Sequence, residues 1–342
     1  MEKLFYELDK LNDIPNSPGI YFMKDKDDRV IYVGKSKNLK NRVKSYFFKN
    51  KNHSKKIQTM VRNISHINII KTDTEFDALL LECSYIHKIK PMYNTLLKDY
   101  DKYKYISLNK NKHNIVEIKE EIDDDSVYYG PYSFGSKIRN IKDIIARYYN
   151  LPICSDRRKC IRYDLNKCIA PCRFEIEEAV KYNLIESIGN DLDGKSSFIL
   201  NKLEDEMNQE IKRLNFEKAA IIKNEIDLFN SIVKKQNHIL NLQNKRNIIF
   251  WIKLEEKKYK IYYINSFEVK YEKNIDIKKF SKDDLYKVKF EIENLISKED
   301  TSNKNIEKEK IDYINIINDY IRNDENRGYI VLDRKDENIV TK

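Results

Sequence analysis

Glycine is scarce, with seven in a chain of 342 residues, and neither G-x-x-x-x-G-K-[ST] nor G-x-G-x-x-G occurs. Without such loops there is no backbone cradle for a nucleotide phosphate, which argues against a kinase, a P-loop NTPase or a Rossmann enzyme. The six prolines all lie at or before Pro171, so the rest of the chain can run in long uninterrupted elements. No apolar run approaches the roughly 20 residues that a bilayer span needs. Met1 to Lys10 alternates charge with single apolar residues instead of forming a signal-peptide core. The expectation is a cytoplasmic protein with no membrane partner. Cysteine is also sparse, at five. In a reducing compartment these thiols are metal ligands or core residues and not disulfide partners. No repeat of 20 to 50 residues is visible.

What the chain has in abundance is positive charge. Lys and Arg number 65 against 55 Asp and Glu, a net charge of +10, which favours an anionic partner such as nucleic acid. The excess is concentrated, because the stretch from Arg29 to Lys71 holds twelve Lys or Arg and no Asp or Glu. An ordinary solvated face mixes the two signs, so this stretch predicts contact with nucleic acid.

Hydrophobic periodicity divides the chain. Ile14 to about Asn94 reads as a compact α/β unit, with strands over Gly19 to Met23 and Arg29 to Val33 joined by the polar turn Lys24 to Asp28. A third strand spans Ile67 to Lys71, and Thr72-x-x-Glu75 reads as a capping box that opens a helix through Lys88. Short strands follow between Tyr103 and Val127, then a loop-rich tract from Cys154 to Cys172 and a helix over Glu175 to Ile188. A linker is expected from Gly189 to Ser197. Leu203 to Lys235 predicts two antiparallel helices broken near Asn215. Strands are expected over Ile248 to Leu254, Lys260 to Asn265, Phe267 to Tyr271 and Gly328 to Leu332, with helices over Ser281 to Ile296 and Glu307 to Ile321.

Within the first unit, Gly19-Ile20-Tyr21 and Tyr32-Val33-Gly34 fall on paired strands. Alternation then puts Tyr21 and Tyr32 on one side, and Ile20 and Ile31 on the other. In the helix that follows, Asn38, Arg42 and Tyr46 make one stripe, and Leu39, Val43 and Phe47 make the apolar stripe beside it. Glu82 shares a helix face with Ala78, Leu79 and Ile86, where a carboxylate without a cation nearby is costly.

These residues carry a resemblance. The segment from Pro15 to Tyr21, the run from Val30 to Arg42, Thr74-Glu75, Ala78 to Glu82 and Lys90-Pro91-x-Tyr93-Asn94 resemble, in order and spacing, the GIY-YIG nuclease domain. The version is that of the UvrC family, the excinucleases of nucleotide excision repair. The resemblance runs from about residue 10 to 240. It implies hydrolysis of a DNA phosphodiester with one divalent metal, magnesium or manganese. Glu82 would hold the metal, Tyr32 would act as general base, and Arg42 would meet the developing phosphate charge. Lys35, Tyr21 and Tyr46 would line the site and Asn94 would brace it, while Lys37, Lys40 and Lys44 would contact DNA. A free Tyr near pKa 10 is a poor base at neutral pH. Either cations such as Lys35 favour the phenolate, or the proton leaves through metal-bound water.

Cys154-x5-Cys160-x7-Cys168-x3-Cys172 places four thiols within nineteen residues. Four thiolates without His match a structural zinc or an iron-sulfur cluster. The resemblance, which here includes Tyr129-Gly130-Pro131-Tyr132, implies a four-iron four-sulfur cluster, with zinc as the alternative. Cys83 reads as a core residue, and the five His, at 53, 66, 87, 113 and 238, show no ligand spacing and receive no chemistry.

Leu214-Asn215-Phe216-Glu217-x-Ala219-Ala220 resembles the UVR motif, through which the family binds the helicase UvrB. Leu214, Phe216, Ala219 and Ala220 would be the contacts. Where that motif usually has an Arg-Asp pair, this chain has Lys223-Asn224.

The expected fold class is thus an α/β GIY-YIG domain, a small antiparallel sheet flanked by helices, then a cysteine-rich middle region, a helical hairpin and an α+β C-terminal region. The expected boundaries are 10–97, 98–175, 176–240 and 247–342, the last resembling a truncated ribonuclease H-like remnant. No apolar strand there bears the acidic ligands of a two-metal site, so a single, 3′-side type incision is expected. The rival reading is a non-catalytic adaptor that binds DNA and UvrB.

Overall fold

The computed structural model describes residues 3–48, 54–98, 100–123, 125–154, 161–243, 247–277, 281–296, 306–322 and 324–332. In chain order its elements begin with β1 (Lys3–Glu7), β2 (Gly19–Lys24), β3 (Val30–Ser36), α1 (Leu39–Ser45), α2 (Lys55–Arg62), β4 (His66–Lys71) and α3 (Glu75–Ile89). They continue through β5 (Lys104–Leu108), β6 (Val116–Lys119), β7 (Val127–Tyr132), α4 (Lys137–Tyr148), α5 (Ile161–Asp164), α6 (Glu178–Leu192), α7 (Phe198–Lys212) and α8 (Phe216–Gln243). The last are β8 (Asn247–Glu255), β9 (Lys258–Asn265), β10 (Glu268–Asp276), α9 (Lys282–Ile296), α10 (Ile311–Tyr320) and β11 (Arg327–Val331).

The chain forms two compact units. The first gathers Met1–Tyr100, Lys245–Asp300 and Lys310–Lys342, and the second Asp101–Asn244 with Thr301–Glu309. The first unit holds two antiparallel sheets, ordered β1-β4-β2-β3 and β10-β9-β8-β11. One face of the first sheet packs Tyr21, Met23, Ile67 and Ile69 against Leu39 and Val43 of α1 and Met60 of α2. On the other face Ile20, Phe22, Val33 and Ile70 meet Ala78 and Ile86 of α3. Tyr21 and Tyr32 do share a side, since Tyr21 lies opposite Gly34 and Met23 opposite Tyr32. Ile31 does not join Ile20. A register shift between Met23 and Lys24 puts an extra residue on β3, and Ile31 packs into the tyrosine-side cluster.

Helix α3 is a shared wall. The expected capping box proves to be two residues further on: Thr74 Oγ1 accepts from Asp77 N at 3.0 Å and Asp77 Oδ2 accepts from Thr74 N at 3.0 Å. Thr72 is diverted, its hydroxyl donating to the Thr74 carbonyl at 2.8 Å. Phe76, fully buried, meets Phe250 of β8 at 5.3 Å and Tyr262 of β9 at 5.1 Å between ring centroids.

The second unit contains the sheet β6-β5-β7 and helices α4 to α8. The expected linker from Gly189 to Ser197 is shorter than its composition suggests, because α6 runs on to Leu192. Asp191 is buried there and accepts from the backbone of Phe198 and Ile199, so its carboxylate caps α7 across the turn. Antiparallel α7 and α8 turn at Leu214, whose φ is +58°. Among the described residues no helix is long and apolar enough to cross a membrane.

Candidate active site

Strand β3 is the edge of its sheet, so the outward N–H and C=O groups of alternate residues need partners from elsewhere. They find them in three side branches. Ile31 O accepts from Tyr93 N at 3.0 Å. The Asn94 side chain imitates a neighbouring strand, Oδ1 accepting from Val33 N at 3.0 Å and Nδ2 donating to Val33 O at 2.9 Å. Lys35 N then donates to Glu82 Oε1 at 2.9 Å. The strand edge thereby fixes Asn94 and Glu82, two expected site residues that lie 61 and 47 positions from their partners.

Above this edge stand the tyrosines. The rings of Tyr21, Tyr32 and Tyr46 form a triangle with centroid separations of 6.1, 6.1 and 6.2 Å. The hydroxyls of Tyr21 and Tyr46 are 2.9 Å apart. Arg42 lies 5.0 Å over the Tyr46 ring. Gly34 makes the triangle possible, since a Cβ there would sit 2.3 Å from the Tyr21 hydroxyl. Gly19 serves packing: its Cβ would meet Ile70 O at 2.3 Å.

The electrostatics are lopsided. Burial, reinforced by Tyr46 and Tyr32, raises the Tyr21 phenol far above its usual value. Burial and Tyr46 likewise raise Tyr32. Burial also raises Glu82, against the opposing pull of the Lys35 N–H and the charges of Lys35 and Arg42. The Lys35 ammonium is directed elsewhere, donating to Glu75 Oε1 at 2.6 Å, while Lys37 Nζ approaches Glu75 Oε2 at 3.0 Å. Burial pulls the Glu75 carboxyl upward, but these two lysines outweigh it and its pKa falls. Sequence reading misses Glu75 as the anchor of two site lysines and gives it only a capping role. Lys44 donates to Asn12, and Lys40 is half-buried on the same helix.

A desolvated carboxylate with one backbone donor, set near phenols and a guanidinium, suits a divalent cation: Glu82 offers the anionic oxygen that hard cations choose. The cluster can bind a phosphate by Arg42 and position a water near Tyr32.

Residues 17–95 match the family model of the UvrC-like GIY-YIG domain, residues 103–185 that of the UvrC/Cho excinuclease middle domain, and residues 199–230 that of the UvrB/uvrC motif. The chain belongs to the UvrC family. Residues 17–95 are accordingly a GIY-YIG endonuclease domain. The UvrABC system protein C of Clostridium acetobutylicum is 36% identical over 247 residues, 69% of this chain and 40% of that protein. Its counterpart from Clostridium tetani is 38% identical over 247 residues, again 69% and 40%. The chain thus spans about 40% of the length of these curated relatives. A crystal structure of the GIY-YIG N-terminal endonuclease domain of UvrC from Thermotoga maritima, bound to magnesium, is similar at 32% identity. It covers 25% of this chain and 93% of that one, with a TM-score of 0.23.

The other UvrC-like residues lie in the second unit. Among the described residues Cys154, Cys168 and Cys172 form no disulfide, and Cys160 lies outside the described residues. The buried Cys168 Sγ accepts from Ala170 N at 3.3 Å; thiols are the donor type of a soft metal centre, but the three described cysteines do not form a group with the spacing for one metal ion. At the α7–α8 turn, Leu214 and Phe216 are 74% and 62% exposed and Ala220 is exposed, whereas Ala219 is buried. The turn is held by Glu210, which accepts from Arg213, Asn215 and Lys218 at 3.1, 3.0 and 2.9 Å. Lys223, which lacks the usual neighbouring acid, instead pairs with Asp227 at 3.2 Å.

Proposed function

We propose that the protein is a metal-dependent DNA endonuclease of nucleotide excision repair that makes one incision, of the 3′-side type. The observation that supports this reading is the convergence of Tyr21, Tyr32, Tyr46, Arg42 and Glu82 beside Gly34, whose missing side chain lets the Tyr21 ring close over the strand. Lys37, Lys40 and Lys44 give the adjoining surface its attraction for the phosphate backbone. Arg42 binds the scissile phosphate with planar donors, and Tyr32 acts as general base by passing its own phenol proton to solvent as it takes one from the attacking water. The divalent cation held by Glu82 would supply charge stabilisation at the scissile phosphate and leaving oxygen. Because burial raises the Tyr32 phenol and Glu75 engages the Lys35 ammonium, Lys35 does not by itself turn Tyr32 into a phenolate.

In the same reading the exposed Leu214, Phe216 and Ala220 dock a UvrB-like helicase, with Ala219 packing the hairpin beneath. Cys154, Cys160, Cys168 and Cys172 would hold a four-iron four-sulfur cluster, with zinc as the alternative. The test of the nuclease is strand cleavage by wild type and Glu82→Gln on damaged, nicked and intact duplexes, with and without UvrB. Wild type is expected to release one cut end, and Glu82→Gln to lose cleavage by at least about 10³-fold while still binding DNA. Equal cleavage by the two would remove Glu82 from the chemistry, and absence of cleavage by both would favour a DNA- and UvrB-binding adaptor.

A further inference from the structure

One residue past Glu82, α3 presents Cys83, and one turn later His87. Their Sγ and Nε2 atoms are 3.7 Å apart. From α10, Asp312 Oδ2 reaches the same His87 Nε2 at 2.9 Å. The three potential ligand atoms all lie within 4.8 Å of one another, and among the described residues this is the group of three that meets the spacing for one metal ion. The site is dry: Cys83 is fully buried, and the side chains of His87 and Asp312 are 11% and 8% exposed. Tyr100 lies tilted against the His87 ring at 4.4 Å and Tyr313 meets it edge-on at 5.6 Å, so the imidazole is held in place from two sides.

We infer that Cys83, His87 and Asp312 form a zinc site that fastens α10 to the helix carrying Glu82. Sulfur, imidazole nitrogen and carboxylate oxygen are together the donor set of a borderline-soft ion, and a poor one for magnesium. With Zn–S and Zn–N bonds of normal length, a tetrahedral ion separates its S and N ligands by about 3.6 Å, close to the separation here. The N and O ligands need about 3.3 Å. An entering ion therefore displaces the hydrogen now shared between His87 and Asp312, which the ring carries on Nδ1 in its other tautomer, and parts the two by a few tenths of an ångström. On binding, the Cys83 thiol gives up its proton to solvent. Thiolate and carboxylate then neutralise the ion's two charges, which a buried site requires. Three protein ligands leave a fourth position for water. Sequence spacing holds half of this signal, Cys83 and His87 at i and i+4 on one helix. The missing half, Asp312, is 225 residues from His87.

The experiment uses the full chain, stripped with a chelator, loaded with Zn²⁺ and passed through gel filtration before metal and protein are measured. Cys83→Ser, His87→Gln and Asp312→Asn are carried alongside. All four proteins retain Cys154, Cys160, Cys168 and Cys172, so metal on those thiols cancels. Each variant should hold one zinc fewer per chain than wild type, and zinc should raise the melting temperature of wild type by more than that of any variant. Asp312→Asn keeps size and hydrogen-bonding capacity, so its loss of zinc at an unchanged circular dichroism spectrum reports ligation and not unfolding. Equal zinc content in wild type and folded variants would overturn the site. Should the variants fail to fold, X-ray absorption of zinc-loaded wild type decides: nitrogen and oxygen neighbours in addition to sulfur support the site, and sulfur alone refutes it.

Discussion

Two polar clusters of the first unit both draw on α3, and they differ in how fully their groups are satisfied. At the start of the helix, the buried Lys260 of β9 is ringed by Asp73, Asp77 and Glu272 at 3.1, 3.0 and 3.3 Å. Tyr262 donates to Asp77 at 2.9 Å, and Asn274 donates to Asp73 at 3.4 Å. The remaining negative charge lies at a helix N-terminus, where the macrodipole welcomes it. Two turns along, the cluster beside Gly34 has phenols and a carboxylate raised by burial, with Lys35 and Arg42 as the cations that act on the carboxylate and Arg42 over the Tyr46 ring. The first cluster is arranged to hold the second sheet against the helix. In the second, Lys35 and Arg42 do not offset the cost of burying Glu82, and under the proposed function that residual cost is what a bound divalent cation would relieve.

The comparison is broken if the two clusters respond alike to loss of their cations. The largest effect is expected in the second cluster, where Arg42→Ala should lower single-turnover cleavage by about 10² to 10³-fold with little change in unfolding free energy. Lys260→Met should do the reverse. Removing a buried cation strands its carboxylates and should cost about 3 kcal/mol of stability, measured by urea unfolding at neutral pH. The pH dependence of that loss has a definite sign. Burial pulls the Asp73 carboxyl upward, but hydrogen bonding and charge from Lys260 outweigh it and the folded pKa lies below 3.8. The stabilisation from this pair is fully present above the ordinary carboxylate range and fades as pH falls through the depressed value. Wild type and Lys260→Met should therefore converge in strongly acid solution. The smallest effect is expected at Thr74, whose hydroxyl both caps α3 and meets the Tyr262 hydroxyl at 2.8 Å. Thr74→Ala should lower the urea midpoint by about 1 kcal/mol equivalent, with cleavage by the folded protein at the wild-type level.

What can be read from the sequence follows this same division. The strands of both sheets are legible because Val, Ile and Tyr cluster between polar turns, and the tyrosine side of the hairpin because strand alternation has a period of two. The helix start is misread by two residues, since Thr72 and Thr74 offer equivalent hydroxyls and only the path of the chain decides which one meets an N–H. Ile31 is assigned to the wrong face because a bulge leaves no mark in a β-branched run. Glu75 and Asp312 are out of reach for another reason. Their roles are set by Lys35, Lys37, Cys83 and His87, and no local periodicity links residues 40 or 225 positions apart.

The interrupted path of the chain through the first unit has a consequence for its biosynthesis. Phe76 emerges from the ribosome early, but the strand that completes the sheet it packs against, β11, begins at Arg327. At about 5 to 20 residues per second, the interval from Tyr100 to Arg327 lasts roughly 10 to 45 s. Until β8 and β9 follow, the nascent helix shows an aromatic face with no second sheet to cover it, an opening for chaperones and proteases. A ribosome that stalls before β8 leaves that face exposed, so quality control can recognise the unfinished product by α3.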